Sequence, residues 1–463
     1  MPAIARKPNI SLPRAARRGG GNVVGLDIQP GYIAAVQAHI NGGVTVQHAA
    51  GAPLPPDALR EGEVLDERTL SDALRELFAG GNLSKRVRVG LANQRTVLRT
   101  LELPPVTDRK ELAAAVRFQA EDQVPMPLAQ AVLDFHSLGI IDTPNGPRQR
   151  VIVVAAQREM VERLLRAVRH AGLRPEGIDL SAFALIRSLY QPAANGTQDE
   201  GSQRMLYLNI GGLTNMAIAE GRICRFTRVV GGGLEAMAAE IAERRGIPLV
   251  EARKLLADYD LARPVFAEPA VALEAVLPPP VPSAPSAASE QDDEPAVEFH
   301  GASAEDAGAE DASEPPLPEV VETWALAQDP QASVAQNPQP SLAQDPEVPP
   351  TPAEPVVATT PQPAVASDPD VRMVLENGIR EIVGEVRNSL DFHRSQDGGG
   401  EVTTVVLSGP VLEMAGFAEA LEADLGIPVR RQSVGAAAPG AFAAVSEHRL
   451  AIAAGLAAEE APR

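Results

Sequence analysis

Val24-Gly25-Leu26-Asp27-Ile28-Gln29-Pro30-Gly31-Tyr32-Ile33 is an apolar run that ends in a short polar residue, turns, and runs apolar again. The pattern returns 182 residues later as Leu206-Tyr207-Leu208-Asn209-Ile210-Gly211-Gly212-Leu213-Thr214-Asn215. Each stretch reads as a strand, a glycine-bearing turn and a second strand. A fold of two related lobes would set the two turns opposite each other. Glycine-rich turns expose backbone N–H groups that cradle phosphate, and a carboxylate beside them can hold hydrated Mg2+. Taken alone, either stretch also reads as an ordinary hairpin of an α/β sheet. Two later segments add strand, glycine turn and helix: Val229-Val230-Gly231-Gly232-Gly233 before a helical run from Leu234 to Arg245, and Val405-Val406-Leu407-Ser408-Gly409-Pro410. A helix that starts on a glycine loop favours anions. The four segments in this order are far more specific than any one of them.

The intervening chain alternates strand and helix signals, which implies an α/β architecture. Val87–Leu91, Val97–Leu103, Arg150–Ala155 and Val402–Leu407 have the apolar density of strands. Leu70–Phe78, Arg109–Gln123 and Arg158–Ala171 have helical spacing, as do Arg372–Phe392 and Leu412–Leu425. At 463 residues the chain is long enough for two to four domains. Aromatic residues make up only 3%, so the core must be built from Ala, Val, Leu and Ile.

The net charge of −20 is unevenly spread. Residues 258–370 hold 22 acidic residues against the single basic Arg263, and 22 of the 42 prolines. The rest of the chain is nearly neutral. Proline removes backbone donors and like charges repel, so this insert reads as disordered, with ends roughly 60 Å apart as a coil. It is either a spacer or a docking tail, with Trp324 as its anchor. The acidic balance argues against nucleic acid. One cysteine, Cys224, excludes an internal disulfide and fits a reducing compartment. No window is apolar enough to span a membrane, and the basic stretch Met1–Gly21 lacks the apolar core of a secretory signal. A cytoplasmic protein is the expectation.

These segments together resemble the PilM family, actin-like proteins of type IV pilus assembly related in fold to the division protein FtsA. Val24–Ile33 resembles the family's first phosphate hairpin, and Val97–Pro105 its strand leading to Leu-Pro. Glu111–Pro125, Leu133-Asp134-Phe135, Ile178–Leu189, Arg228–Gly233 and Ser389-Leu390-Asp391-Phe392 are similar to later segments of the family. The resemblance implies an actin-like (ribonuclease H-like) two-lobed fold with an inserted small α+β domain. Its expected layout is a basic tail (1–21), a first lobe (22–94) and the small domain (95–175), then a return helix and linker (176–202). A second lobe follows in two parts (203–257 and 371–457) around the insert (258–370), with a short tail (458–463).

The resemblance also implies ATP with Mg2+ as cofactor. Nucleotide-binding candidates are Asp27, Gly31, Tyr32, Asn209, Gly211, Gly212, Thr214, Asn215, Gly231, Gly232, Gly233, Ser408 and Gly409. Asp27 would hold the metal through water. Several family features are missing. Gln29 replaces a glycine, Pro30 removes a turn N–H, and Ala34 stands where the family has a phosphate-contacting Lys. Asn209 replaces a second Asp, Pro410 follows Gly409 where Gly-Gly is usual, and Arg253-Lys254 alter the ribose-side helix. Losing each charged phosphate contact costs about 1.5–3 kcal/mol. Weak ATP binding with little or no hydrolysis is therefore expected.

The implied partner is the cytoplasmic N-terminal peptide of a PilN-like inner-membrane protein, with pilus motor ATPases reached indirectly. The peptide would lie between the first lobe and the small domain, near Arg99, Pro104, Glu121 and Pro125; read structurally, these are a strand end, a turn and a helix stop. Peripheral attachment at the inner face of the cytoplasmic membrane is expected, without insertion. Two rivals stand beside the scaffold. An FtsA-like division protein would need a membrane-binding C-terminal helix, absent from Ala457–Arg463. An active ATPase or kinase would need intact phosphate loops and a catalytic carboxylate, for which only Asp27 and Asp179 are candidates.

Overall fold

A computed structural model describes residues 23–40, 43–80, 82–191, 203–262, 368–396, 399–437, 442 and 445–458. The disorder expected within the acidic insert and the basic tail lies outside these residues. The folded body nevertheless reaches further than charge suggested. Tyr259 is buried and the Leu261 N–H donates to the Ala415 carbonyl at 3.0 Å. On the far side Asp368 caps a helix through the Asp370 and Val371 amides.

The first lobe opens with β1 (Val24–Gln29), β2 (Tyr32–Ile40) and β3 (Val44–Pro53) as an antiparallel meander. A tight hairpin, β4 (Leu59–Arg60) and β5 (Glu63–Val64), leads to α1 (Glu67–Leu77), capped by Asp66, and then to β6 (Arg86–Leu91). β7 (Val97–Leu103), α2 (Arg109–Glu121), β8 (Ala131–Thr143) and β9 (Gly146–Gln157) form a separate small layer with sheet order β7-β9-β8. Leu112 and Val116 of α2 close its own small core against Leu101, Val151 and Val153. The chain returns through α3 (Arg158–His170), β10 (Arg174–Leu180) and α4 (Ser181–Leu189). The stretch from Ile178 is thus strand first and helix only from Ser181. Gly177 sits at a bulge, and Pro175 lacks an amide hydrogen, which an edge strand tolerates.

The second lobe repeats the plan. β11 (Arg204–Ile210), β12 (Thr214–Glu220) and β13 (Ile223–Val230) form a meander, followed by α5 (Leu234–Arg245), α6 (Leu249–Ala257), α7 (Pro369–Ser395) and β14 (Val402–Ser408). After β14 the chain makes a 3-10 turn, Pro410–Glu413, and α8 starts only at Phe417 (Phe417–Leu425). The helix expected from Leu412 is cut because Gly416 has φ +83°, a left-handed geometry that ends one turn before the next begins. β15 (Val429–Arg431), β16 (Gly435–Ala436) and α9 (Ala451–Ala457) complete the body.

The two main sheets run β10-β6-β1-β2-β3-β16 and β13-β12-β11-β14-β15. In each, the first strand of the meander also pairs in parallel with a later strand, β1 with β6 and β11 with β14. This duplicated order is what the echo between residues 24 and 206 implied. One core runs from the first sheet through α4 and α9 to Tyr207, Ala217 and Val406 of the second. α9 is buried along its whole length, and a Cβ on Gly455 would lie 1.9 Å from the Ala184 carbonyl. Only glycine allows the two helices that approach.

Candidate functional site

The β1–β2 turn is Pro30-Gly31, with Gly31 at φ +81°, the geometry of a type II turn. The β11–β12 turn is one residue longer, Gly211-Gly212-Leu213. The two turns face each other in direct contact. A Cβ on Gly212 would lie 2.1 Å from the Pro30 carbonyl oxygen, and one on Gly211 would lie 2.4 Å from Oε1 of Gln29.

Gln29 bridges them. Its Nε2 donates to Oδ2 of Asp27 at 2.7 Å, and its Oε1 accepts the Gly212 N–H at 3.1 Å. Asp27 is 5% exposed, and burial pushes its carboxyl up to about 7 against the lowering effect of the Gln29 hydrogen bond. Ala34 stands directly across the strand from Asp27, so no cation is supplied from that register position.

The glycine loop before α5 is also engaged. The Leu234 N–H donates to the Gly211 carbonyl at 2.8 Å, and Glu235 places a carboxylate in the first turn of that helix. An acidic side chain there complements the helix dipole, the role an incoming anion would take. Glu235 is forked by Arg253, whose Nε donates to Oε2 at 2.9 Å. The pair rests on the first lobe: a Cβ on Gly31 would lie 2.5 Å from Glu235 Oε2. Arg253, one of the departures from the family pattern, is thus held by Glu235 at the lining of the cleft.

Between the lobes lies a cavity of about 100 Å³, lined by Gly31, Tyr32, Gly212, Glu235, Arg253, Pro410, Glu413, Met414 and Arg449 among others. Drug-sized ligands occupy pockets of roughly 300–1,000 Å³. The Gly212 amide and the Asp27 carboxylate, which would meet a bound phosphate and its cation, are both paired to Gln29. Among the described residues no three His, Cys, Asp or Glu side chains come together as a metal site.

The expected nucleotide residues therefore divide. Gly31, Tyr32, Gly211 and Gly212 line the cavity, with the Arg449 guanidinium 4.6 Å above the Tyr32 ring. Asp27 lies behind Gln29. Asn209 donates from Nδ2 to Ser408 Oγ at 3.0 Å, while its Oδ1 and both polar atoms of Asn215 are buried without a hydrogen-bond partner among the described residues. Gly409, at φ +103°, tucks under Ile210, and Thr214 Oγ1 donates to the Gly232 carbonyl. A Cβ on Gly231 would meet Gln94, one on Gly232 would meet Glu381, and one on Gly233 the Gly211 carbonyl. Of the three glycines, only Gly233 is pressed against backbone, the Gly211 carbonyl. Glu235 and Arg449 were missed by sequence reasoning; Glu235 could have been found as an acidic residue in the first turn after the glycine loop.

In the small domain, Arg99 lies on β7, Pro104 just past its end, Glu121 at the last turn of α2 and Pro125 beyond it. Phe118, one turn before Glu121, is 74% exposed.

The family model for the type IV pilus assembly protein PilM matches residues 25–264, from the first hairpin through the small domain to beyond α6. The chain belongs to the PilM family. A PilM–PilN type IV pilus biogenesis complex contains a chain with TM-score 0.60 and 20% identity, with 94% of this chain and 98% of that one covered. This PilM-family body has the actin-like fold. Looser likenesses extend to the ethanolamine utilization protein EutJ from Carboxydothermus hydrogenoformans (TM-score 0.42, 13% identity, 97% and 92% covered). MreB 5 of Spiroplasma citri bound to AMPPNP is similar at the same score (11% identity, 94% of each chain). Neither carries an argument about this chain's chemistry.

Proposed function

We propose that this PilM-family protein is a cytoplasmic scaffold of pilus assembly that holds the N-terminal peptide of a PilN-like inner-membrane protein. It connects that protein indirectly to motor ATPases. The observation that carries the proposal is the family match over residues 25–264, which spans the first hairpin and the whole small domain. Among the described residues no helix is long and apolar enough to cross a membrane, in keeping with peripheral attachment through a partner at the inner face.

The peptide would lie between the first lobe and the three-stranded domain, with Arg99, Pro104, Glu121 and Pro125 as candidate contacts. Exposed Phe118 offers an aromatic anchor beside Glu121, the kind of side chain that dominates binding energy at interfaces. ATP with Mg2+ binds weakly and is not turned over. The cleft of about 100 Å³ and the internally paired Asp27 and Gly212 support this.

Titration of the full chain with a labelled N-terminal peptide of a PilN-like protein tests the partner. Saturable binding in the micromolar range is expected, and Phe118→Ala should weaken it about tenfold, roughly 1.4 kcal/mol, with the melting temperature unchanged. Absence of binding, together with capture of an FtsZ-like tubulin, would replace the scaffold by a division protein. Titration with fluorescent ATP and Mg2+ tests the cleft: a dissociation constant below about 10 μM would refute the weakened site.

A further inference from the structure

We infer that Gln29 is the residue that shuts the cleft to polyphosphates, its carboxamide standing between the two hairpins where a phosphoryl group and its cation would have to sit. The inference rests on the weakened nucleotide site proposed above and names its cause.

A backbone N–H can only donate, so the Gly212 amide requires an oxygen, and Gln29 Oε1 accepts it at 3.1 Å. The other end of the carboxamide is then its NH2, which meets Oδ2 of buried Asp27 at 2.7 Å. A metal-bound phosphate would satisfy the same two groups, its oxygen taking the amide and its cation facing the carboxylate. Gln29 does both with one neutral side chain. The turns close around it: a Cβ on Gly212 would lie 2.1 Å from the backbone carbonyl of Pro30, and one on Gly211 would lie 2.4 Å from the Gln29 carboxamide itself. Outside, the Glu235–Arg253 ion pair rests against Gly31 and narrows the way in. Gln29 belongs to the first lobe and Gly212 to the second, so the same side chain is a clasp between lobes.

The test uses the full chain as wild type, Gln29→Gly and Gln29→Leu, with two readouts. The first is hydrogen exchange of the peptide containing Gly212, without nucleotide. The second is titration with Mg2+ and ATP. Gln29→Gly should exchange Gly212 at least tenfold faster and bind Mg2+–ATP at least tenfold more tightly than wild type. Gln29→Leu keeps the bulk without donor or acceptor; it should release the Gly212 amide yet bind nucleotide no better than wild type. Unchanged Gly212 exchange in both folded variants would overturn the clasp while leaving the weakened site standing. Faster exchange with no gain of affinity in Gln29→Gly would overturn the exclusion of polyphosphate. A tightly binding wild type would instead sink the weakened site, and with it the exclusion. If Gln29→Gly does not fold, Gln29→Leu alone decides the clasp by its exchange.

Discussion

β1–β2 and β11–β12 hold the same place in their sheets, yet the lobes around them bury opposite chemistry. The first hairpin sets a carboxylate, Asp27, beneath a two-residue turn, and the same lobe buries Arg187 against Asp179 at 2.6 Å. The second sets neutral amides, Asn209 and Asn215, beneath a three-residue turn and gives Asn209 the Ser408 hydroxyl as its partner. A duplicated strand order fixes where a turn points; it does not fix what the turn carries. Here the first lobe pairs Arg187 with Asp179 but gives buried Asp27 only the Gln29 amide, and among the described residues the second lobe keeps Asn209 Oδ1 and both polar atoms of Asn215 without a hydrogen-bond partner.

The sharpest way to break this contrast is to remove the cation of the first lobe. Arg187 is 4% exposed, binds Asp179, and donates to the Gly455 and Ala458 carbonyls of the closing helix region. Arg187→Ala should lower the unfolding free energy in denaturant by about 3–5 kcal/mol, because Asp179 is left as an unpaired buried charge. Replacing Arg187 and Asp179 together by apolar residues should cost much less.

Asp27→Asn makes the first hairpin resemble the second. The fold raises this carboxyl from 3.8 to about 7, so between those values the unfolded chain ionises while the folded one stays neutral. Asp27 therefore withdraws stability as pH rises from about 4 to 7. The Asn variant should gain roughly 1–4 kcal/mol over wild type at pH 8 and nothing near pH 3. Equal stability of the two proteins across that range would show that Asp27 is not held in an unfavourable site.

The smallest effect is expected in the second lobe. His393 is buried beside Phe226 with no hydrogen bond to either ring nitrogen among the described residues. Burial first, and the Arg204 and Arg225 charges second, hold its pKa below 6.5. As pH falls below 6.5 the unfolded chain gains a proton that the folded one refuses, so stability declines. His393→Phe should flatten that acid limb of the stability curve, seen as a smaller drop in melting temperature between pH 7 and pH 5.

Much of this was legible in the sequence where apolar runs met glycine. The echo of residues 24–33 in 206–215 announced the duplicated sheets because both stretches alternate strand, turn and strand without interruption. β10 was hidden because Pro175 and Gly177 suppress a strand signal, although an edge position and a bulge accommodate both. The break before α8 was hidden because Gly416 looks like any small residue until its φ is known. At the site, Gln29 could be seen as added bulk, but its bonds to Asp27 and Gly212 depend on two hairpins nearly two hundred positions apart. Glu235 with Arg253 depends likewise on two helices meeting.

α9, beginning at Ala451, packs on β1, which ends at Gln29. A ribosome adding about 5–20 residues per second needs roughly 20–80 s to make the chain between them. Throughout that interval β1 lacks its contact with α9, so the packing of the first sheet is completed only once α9 has been made.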